Sequence, residues 1–487
     1  MNIKILLILW ILVKCNIIFA QNNFYFKRIY TEADEFPTCM LAFENDQLFL
    51  STYYNISYRV PTIFKFKKNR LVDSLQIVDY NGAIFYLGAK DSKTFTAWGF
   101  TSDNNSNNLN LTYWLIDTSL HILENKNYLT KFHEQTYVQC NQLSNGNYII
   151  TTTGISNLIL GILFLKFDSN VNLIDSVYFD YLGNDLAFGS VEYDNFYIAP
   201  IYSSHLATSF GTTTCFVRLD SSLNIIRIDT IPPRQSAIAL YMNIKKKNEK
   251  EFYLSGKSEK IIAGSVYHRS TVSIFDTSYH VLKTVHFQNS TPDTSNYPAA
   301  YTNFDFKNLQ NLYFSYTYNF PLDFPWSSKK TWIVVCNLDS NLNLRWQKFV
   351  GGDFLYSSNS LLASSDGGCY VTGTLYDTTL NIQQRDIFIL KFDSLGNILS
   401  GVPENTYVFD KTLVYPNPGT NELNVLLPEN HKNTTLELIN SLGILCTSQE
   451  FTNDQLKVNT SNLCSGIYFY RLRQRNEIIS QGKWIKQ

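Results

Sequence analysis

Short apolar stretches alternate with polar turns along nearly the whole chain, and the alternation repeats. The phrase YWLIDTSLHIL at 113–123 returns as LFLKFDSNVNLI at 163–174, CFVRLDSSLNII at 215–226, VSIFDTSYHVL at 272–282, IVVCNLDSNLNL at 333–344 and IFILKFDSLGNIL at 387–399. A worn copy, IFKFKKNRLVD, stands first at 63–73. Anchored on Lys67, Asp117, Asp168, Asp220, Asp276, Asp339 and Asp393, the seven copies step by 50, 51, 52, 56, 63 and 54 residues by subtraction. Each copy predicts an apolar strand, an Asp-led turn and a second strand, because an Asp carboxylate accepts backbone N–H groups inside a turn. A second phrase, seen in FENDQLFLST, LSNGNYIITTTG and SSDGGCYVTG, alternates with the first and also occurs seven times. Two hairpins per repeat make four strands, and a four-stranded period near fifty predicts propeller blades.

The expected fold is therefore all-β, a seven-bladed β-propeller over 21–402. The segment NFYFKRIYTEADEF at 23–36 aligns with the outermost strand of a blade, whereas the last repeat is weak at that place. A strand at about 24–30 is expected to complete the seventh blade and tie the ends together. Strands of a blade alternate direction, so the short Asp-led and DGG-like turns share one face. The other face carries the loops from second to third strand and the links between blades, where lengths vary. Two long excursions, 286–304 and 315–332, fall on that variable face of the sixth blade. The second carries Tyr318, Phe320, Phe324 and Trp326, suited to stacking on sugar rings or anchoring a peptide. The same rings could instead pack among themselves to order a long loop.

Composition narrows the function classes. The 487 residues carry a formal net charge of −1 and 15% aromatic residues, which favours strands and leaves no basic footprint for nucleic acid. Lys4 precedes the apolar run Ile5 to Val13, and Ala20 stands before Gln21, the pattern of a secretory signal over 1–20. The run is too short for a transmembrane span, and no other segment predicts one. Cleavage after Ala20 leaves seven cysteines, Cys39, Cys140, Cys215, Cys336, Cys369, Cys446 and Cys464, with no CxxC. They read as buried free thiols, with Cys446 and Cys464 the one pair placed to bridge.

Catalytic motifs are absent: no HExxH, no GxSxG and no phosphate-cradling glycine loop. The seven histidines are dispersed without metal-ligand spacing, so no metal and no cofactor is expected. The loop DSNVN lacks the glycine and distal glutamate of an EF-hand. A glycosidase would need two carboxylates flanking the scissile bond, and Asp185, Glu192, Asp305, Asp323 and Asp353 fall in or near variable-face loops. Nothing in the sequence singles out a pair. The favoured expectation is a non-enzymatic protein that binds glycan or protein through the variable face; the alternative is a secreted hydrolase acting on polysaccharide or peptide.

The seventh copy, with Trp346, Gly351, Gly352, Asp366, Gly367, Gly368, Lys391, Asp393, Gly396 and Asn397, resembles a repeat of secreted Bacteroidetes proteins. From Leu413 the text changes to short strands and turns that predict a small immunoglobulin-like β-sandwich over 413–487, after a linker at 403–412. Tyr415, Pro416, Asn417 and Pro418 open it, Leu442 and Gly443 follow, then Leu463, Gly466, Ile467 and Tyr468, and Lys483 to Lys486 close it. This series resembles the type A C-terminal sorting domain of the type IX secretion system. The resemblance implies passage through the outer-membrane translocon, removal of the module by a surface sortase, and attachment at the cell surface or release.

Overall fold

The structure is a computed structural model that describes residues 27–29, 34–102, 109–205, 212–231, 238–287, 295–321, 327–377, 384–398, 413–426, 434–440, 444–451, 455–474 and 477–487, apart from positions 45, 55–58, 68–69, 79–80, 131, 133, 157–158, 182 and 263–264 within those ranges. The signal at 1–20, the linker at 403–412, and Phe324, Trp326, Asp323, Leu442 and Gly443 lie outside the described residues. Two compact units are present, Met1–Gly401 and Val402–Gln487. Every regular element described is a strand, and among the described residues no helix is long and apolar enough to cross a membrane.

The first unit follows the repeats. Residues 35–76, 81–129 and 238–287 each form a four-stranded antiparallel sheet, and 295–351 a five-stranded sheet in which the first strand is broken into Ser295–Pro298 and Phe304–Asn308. Repeats three and four share one nine-stranded sheet, in which the only pairing between them among the described residues is the parallel bridge Leu160↔Asn184. In the last sheet Lys27–Ile29 pairs with Ile387–Ile389 as the outer strand, the pairing expected from the sequence pattern.

Each Asp-led turn is built the same way. In the turn led by Asp339, one carboxylate oxygen accepts the backbone N–H of Asn341 at 2.9 Å and of Asn343 at 2.8 Å, while the other accepts Asn343 Nδ2 at 2.8 Å. The fourth residue is left-handed: φ is 66° at Leu120, 64° at Val171, 60° at Leu223, 72° at Tyr279, 59° at Leu342 and 78° at Gly396. A type I turn followed by a left-handed residue and a bulge joins such hairpins, and the ladder register shifts beside every one of these turns for which pairing is recorded, for example at Asn337/Leu338. Glycine ordinarily fills that position. Here Leu120, Val171, Leu223 and Leu342 are each at most 6% exposed, so burial of the side chain offsets a strain of about 1–2 kcal/mol.

The turns also join neighbouring repeats. Lys126 Nζ donates to Asn170 O at 3.0 Å, Lys166 Nζ to Ser221 O at 2.6 Å, Tyr253 OH to Ser340 O at 2.7 Å and Trp346 Nε1 to Ser394 O at 2.9 Å. Arg218 donates likewise to Thr277 O. From the second repeat onward, each repeat thus clasps the Asp-led turn of the next.

A second set of bonds joins the first strands. The register of these strands shifts at Pro37/Cys39, Ile84/Tyr86, Gln135/Tyr137, Leu240/Asn243, Ser295/Tyr297 and Ser358/Ser360, at bulges that redirect backbone groups and side chains. Thr38 Oγ1 donates to Ile84 O at 2.5 Å, Asn303 N to Asn243 Oδ1 at 2.5 Å and Leu361 N to Thr302 O at 2.7 Å. Ser360 Oγ donates to Thr38 O, joining the last repeat to the first. Phe85 of the second repeat and Tyr301 of the sixth meet with ring centroids 5.4 Å apart.

In the second unit a three-stranded sheet (Leu413–Tyr415, Glu422–Leu426, Gln455–Asn459) and a four-stranded sheet enclose Leu423, Val425, Leu436, Leu438, Phe451, Val458, Tyr468, Leu472 and Trp484. The cysteine expectation is corrected in part. Cys446 and Cys464 are free and exposed and form no bridge, while Cys39, Cys215, Cys336 and Cys369 are buried free thiols. Desolvation pushes the Cys39 thiol up to about 12.

Candidate functional site

The sixth-repeat excursion is shorter than its sequence suggests. Asn311–Phe320 continues as strand and Trp332–Leu338 begins the next, so the connection is 321–331. The two described candidates are not brought together. Tyr318 packs edge-on against Trp332 at 5.7 Å and Phe349 at 5.5 Å. Phe320 stacks on Tyr297 at 4.4 Å. Between them Asn319 is left-handed at φ 66° and its Nδ2 donates to Lys330 O at 2.8 Å, which turns successive side chains to different neighbours.

Tyr297 is the centre of a cluster that the sequence reading missed. His268 lies edge-on to its ring at 5.1 Å, and Lys257 Nζ lies 5.1 Å from the ring centroid. Lys257 sits on Glu251–Ile262, His268 on the neighbouring Ser265–Asp276, and Tyr297 on the first strand of the next repeat. These strands are joined in the chain by the connection from second to third strand of repeat five and by the link into repeat six. Lys257 is only 6% exposed, and desolvation lowers its pKa. Burial, then the Lys257 charge, lowers His268 to about 4, so its imidazole is neutral at physiological pH. No local signal marks the pair: their strands, EFYLSGKSEKII and SVYHRSTVSIFD, carry other charged residues as well.

The acidic candidates are engaged in the fold. Asp185 accepts Tyr181 N at 2.5 Å and the Ser203 hydroxyl. Glu192 accepts Ser144 N at 2.8 Å. Asp305 binds Lys245 Nζ at 2.9 Å and Ala363 N at 2.9 Å, and Asp353 accepts Tyr356 OH at 2.8 Å. No group of three or more metal-binding side chains occurs among the described residues.

The sorting-motif residues converge in the second unit. The Tyr415–Pro416 and Asn417–Pro418 peptides are both cis. Trp484 Nε1 donates to Pro416 O at 2.8 Å, and Ile485 N donates to Asn417 Oδ1 at 3.0 Å. Gly419 N donates to Ile485 O at 2.8 Å, and Lys486 Nζ, largely buried, donates to Thr420 O. Tyr468 lies 5.9 Å from Trp484 and donates its hydroxyl to Cys464 O at 2.8 Å. Lys483 is in the same closing strand, Glu477–Lys486, paired with Phe469. Gly466 begins the strand Gly466–Gln474 at φ 158°, with nothing within 4 Å of where a Cβ would stand.

An all-β protein with a propeller-like body and an appended strand module is what these two units define. Residues 413–487 match the family described as the secretion system C-terminal sorting domain. The segment is a type IX sorting domain, and the protein is exported, for secretion or attachment at the cell surface. No curated protein is significantly similar to the chain. Among solved structures, the β-propeller domain of the Trilobed protease from Pyrococcus furiosus is 10% identical, covering 78% of this chain and 100% of that chain at a TM-score of 0.46. The polysaccharide lyase Uly1 is 10% identical, covering 77% and 93% at 0.45. An ulvan lyase bound to a glucuronate–rhamnose sulfate unit is 9% identical, covering 76% and 96% at 0.44.

Proposed function

We propose that residues 21–402 form a closed seven-bladed propeller, exported behind an immunoglobulin-like sorting sandwich, that binds glycan or protein on its variable-loop face. The nine-stranded sheet supports a count of seven, since a single bridge joins its two repeats. The observation that carries the binding reading is the Tyr297–Phe320 stack with Lys257 and His268 against Tyr297. Such a group offers ring faces for a sugar and a cation beside them. Phe324 and Trp326 follow Phe320 in the chain and are the further aromatic candidates; Tyr318 packs separately, against Trp332 and Phe349. The type IX translocon and the surface sortase are the partners of the sorting domain.

The test is a glycan and peptide array probed with the secreted chain, repeated with Trp326→Ala and Tyr297→Ala. Binding reduced by both changes supports the site, and binding indifferent to both removes it. Release of product from any arrayed sugar or peptide would turn the reading to a hydrolase.

A further inference from the structure

The Lys257 side chain is buried against an aromatic ring, and among the described residues no carboxylate pairs with its ammonium group. It is 6% exposed, and among the described residues it meets no hydrogen-bond acceptor and no carboxylate at ion-pair distance. Its close partner among the described residues is the Tyr297 ring, with the centroid 5.1 Å away. Glu259, exposed two positions along the same strand, acts on it through space. Buried ammonium groups are ordinarily paired, because an uncompensated charge out of water is costly.

The neighbouring polar atom is also unsatisfied. His268 Nδ1 is inaccessible to solvent and has no hydrogen-bond partner. Both groups touch the same ring, Tyr297, on which Phe320 stacks. Elsewhere in this unit buried cations are matched: Arg385 by Asp34 at 2.5 Å and Lys391 by Asp366 at 2.7 Å. Lys257 stands apart from that rule.

Building on the glycan-binding reading, we propose that Lys257 and His268 form the anion pocket of a saccharide site, taking the carboxylate of an acidic sugar whose ring lies against Tyr297 and Phe320. The carboxylate accepts from the Lys257 ammonium; His268 lines the place, and its Nδ1, sealed from solvent, makes no contact with the sugar. A flat ring beside a fixed cation matches a uronate better than an acidic peptide, whose carboxylates sit on flexible stems that have no ring to stack.

The experiment compares oligogalacturonate, its carboxyl-reduced neutral counterpart and an oligoglutamate peptide on the secreted chain and on Lys257→Met and Lys257→Arg. The expected result is that the acidic sugar binds more tightly than the neutral one, and that Lys257→Met loses about 30-fold or more in affinity for it. Lys257→Arg retains most of that affinity. Lys257→Met also unfolds at a higher temperature, since a Met side chain removes the uncompensated charge, so loss of binding is separated from loss of fold. Equal binding of acidic and neutral sugars, unchanged in Lys257→Met, overturns the anion pocket while leaving the glycan-binding reading intact. Lysine-dependent binding of oligoglutamate with none of oligogalacturonate overturns it in favour of a peptide. Binding of none of the three, by any variant, overturns the pocket, and the full array then decides the broader reading.

Discussion

Trp346 of the sixth repeat lies over Gly396 of the seventh: a Cβ built on Gly396 would stand 2.8 Å from the indole ring. The same indole donates to Ser394 O at 2.9 Å. In four earlier Asp-led turns the left-handed residue is a buried Leu or Val that fills space between sheets. In the last turn the filling comes from the preceding repeat, and the left-handed residue gives up its side chain to make room. The Trp and the Gly of the resembling repeat therefore form one packing unit.

Exchanging these two solutions is expected to fail in both directions. Gly396→Leu adds a side chain at φ 78° and collides with Trp346, for a loss of about 2 kcal/mol or more. Leu342→Gly relieves a left-handed leucine but empties a buried site, for a net loss of about 1–2 kcal/mol. Urea unfolding of the first unit checks both, and a gain in stability for either change would contradict the account.

The start of the chain is held to the last repeat by charge as well as by strand pairing. Arg385, 4% exposed at its side chain, meets Asp34 at 2.5 Å and lies 3.9 Å over the Phe36 ring. Asp34→Ala leaves that guanidinium short of a buried partner, with an expected cost on the order of 3 kcal/mol. Asp34→Ala with Arg385→Met is expected to be milder than the single change, and a thermal melt of the three variants decides it.

In the sorting domain, Trp484→Phe keeps an aromatic ring against Tyr468 but leaves Pro416 O without its donor. The expected loss is about 2 kcal/mol from the unmet carbonyl and the smaller ring. Measurement on the melting transition of residues 413–487 checks it; an unchanged transition would mean the bond is dispensable.

His268 gives the first unit a pH response with a definite sign. Its folded pKa, about 4, lies below the ordinary 6.5, so the unfolded chain takes up a proton first as the solution is acidified. The contribution is whole above 6.5 and is lost as pH falls from 6.5 towards 4. Lys257, whose charge faces the ring, and Glu259, paired across the strand from His268, are the charged groups at this place. The Asp-led turns act below that window. Hydrogen bonds hold the pKa values of Asp168 and Asp220 down, and at Asp117, Asp276 and Asp339 they outweigh desolvation, the largest single influence. Their stabilisation is present above the ordinary carboxylate range and fades as pH drops through it. Urea midpoints between pH 7 and 4.5 should fall less in His268→Gln than in the parent chain, and parallel curves would remove His268 as the cause.

The candidate site was only half legible. Phe320 was marked by its place among aromatic residues in a long connection, but Lys257, His268 and Tyr297 were not. They lie on three strands of two repeats, and no local spacing announces them. Tyr318 and Phe320, two positions apart, pack on different neighbours because of the left-handed Asn319 between them, which is invisible in a strand-like text.

What the sequence determined by itself was everything encoded within a few residues. An Asp and the residues two and four positions after it fix a turn, so the repeats, their strands and the sorting motif were readable from the text. The tertiary structure decided which strands meet: Thr38 with Ser360, Phe85 with Tyr301, Asp34 with Arg385, and Lys257 with Tyr297. Those contacts depend on bulges that redirect a strand and on packing between repeats far apart in the chain, and such terms have no period for a sequence to display.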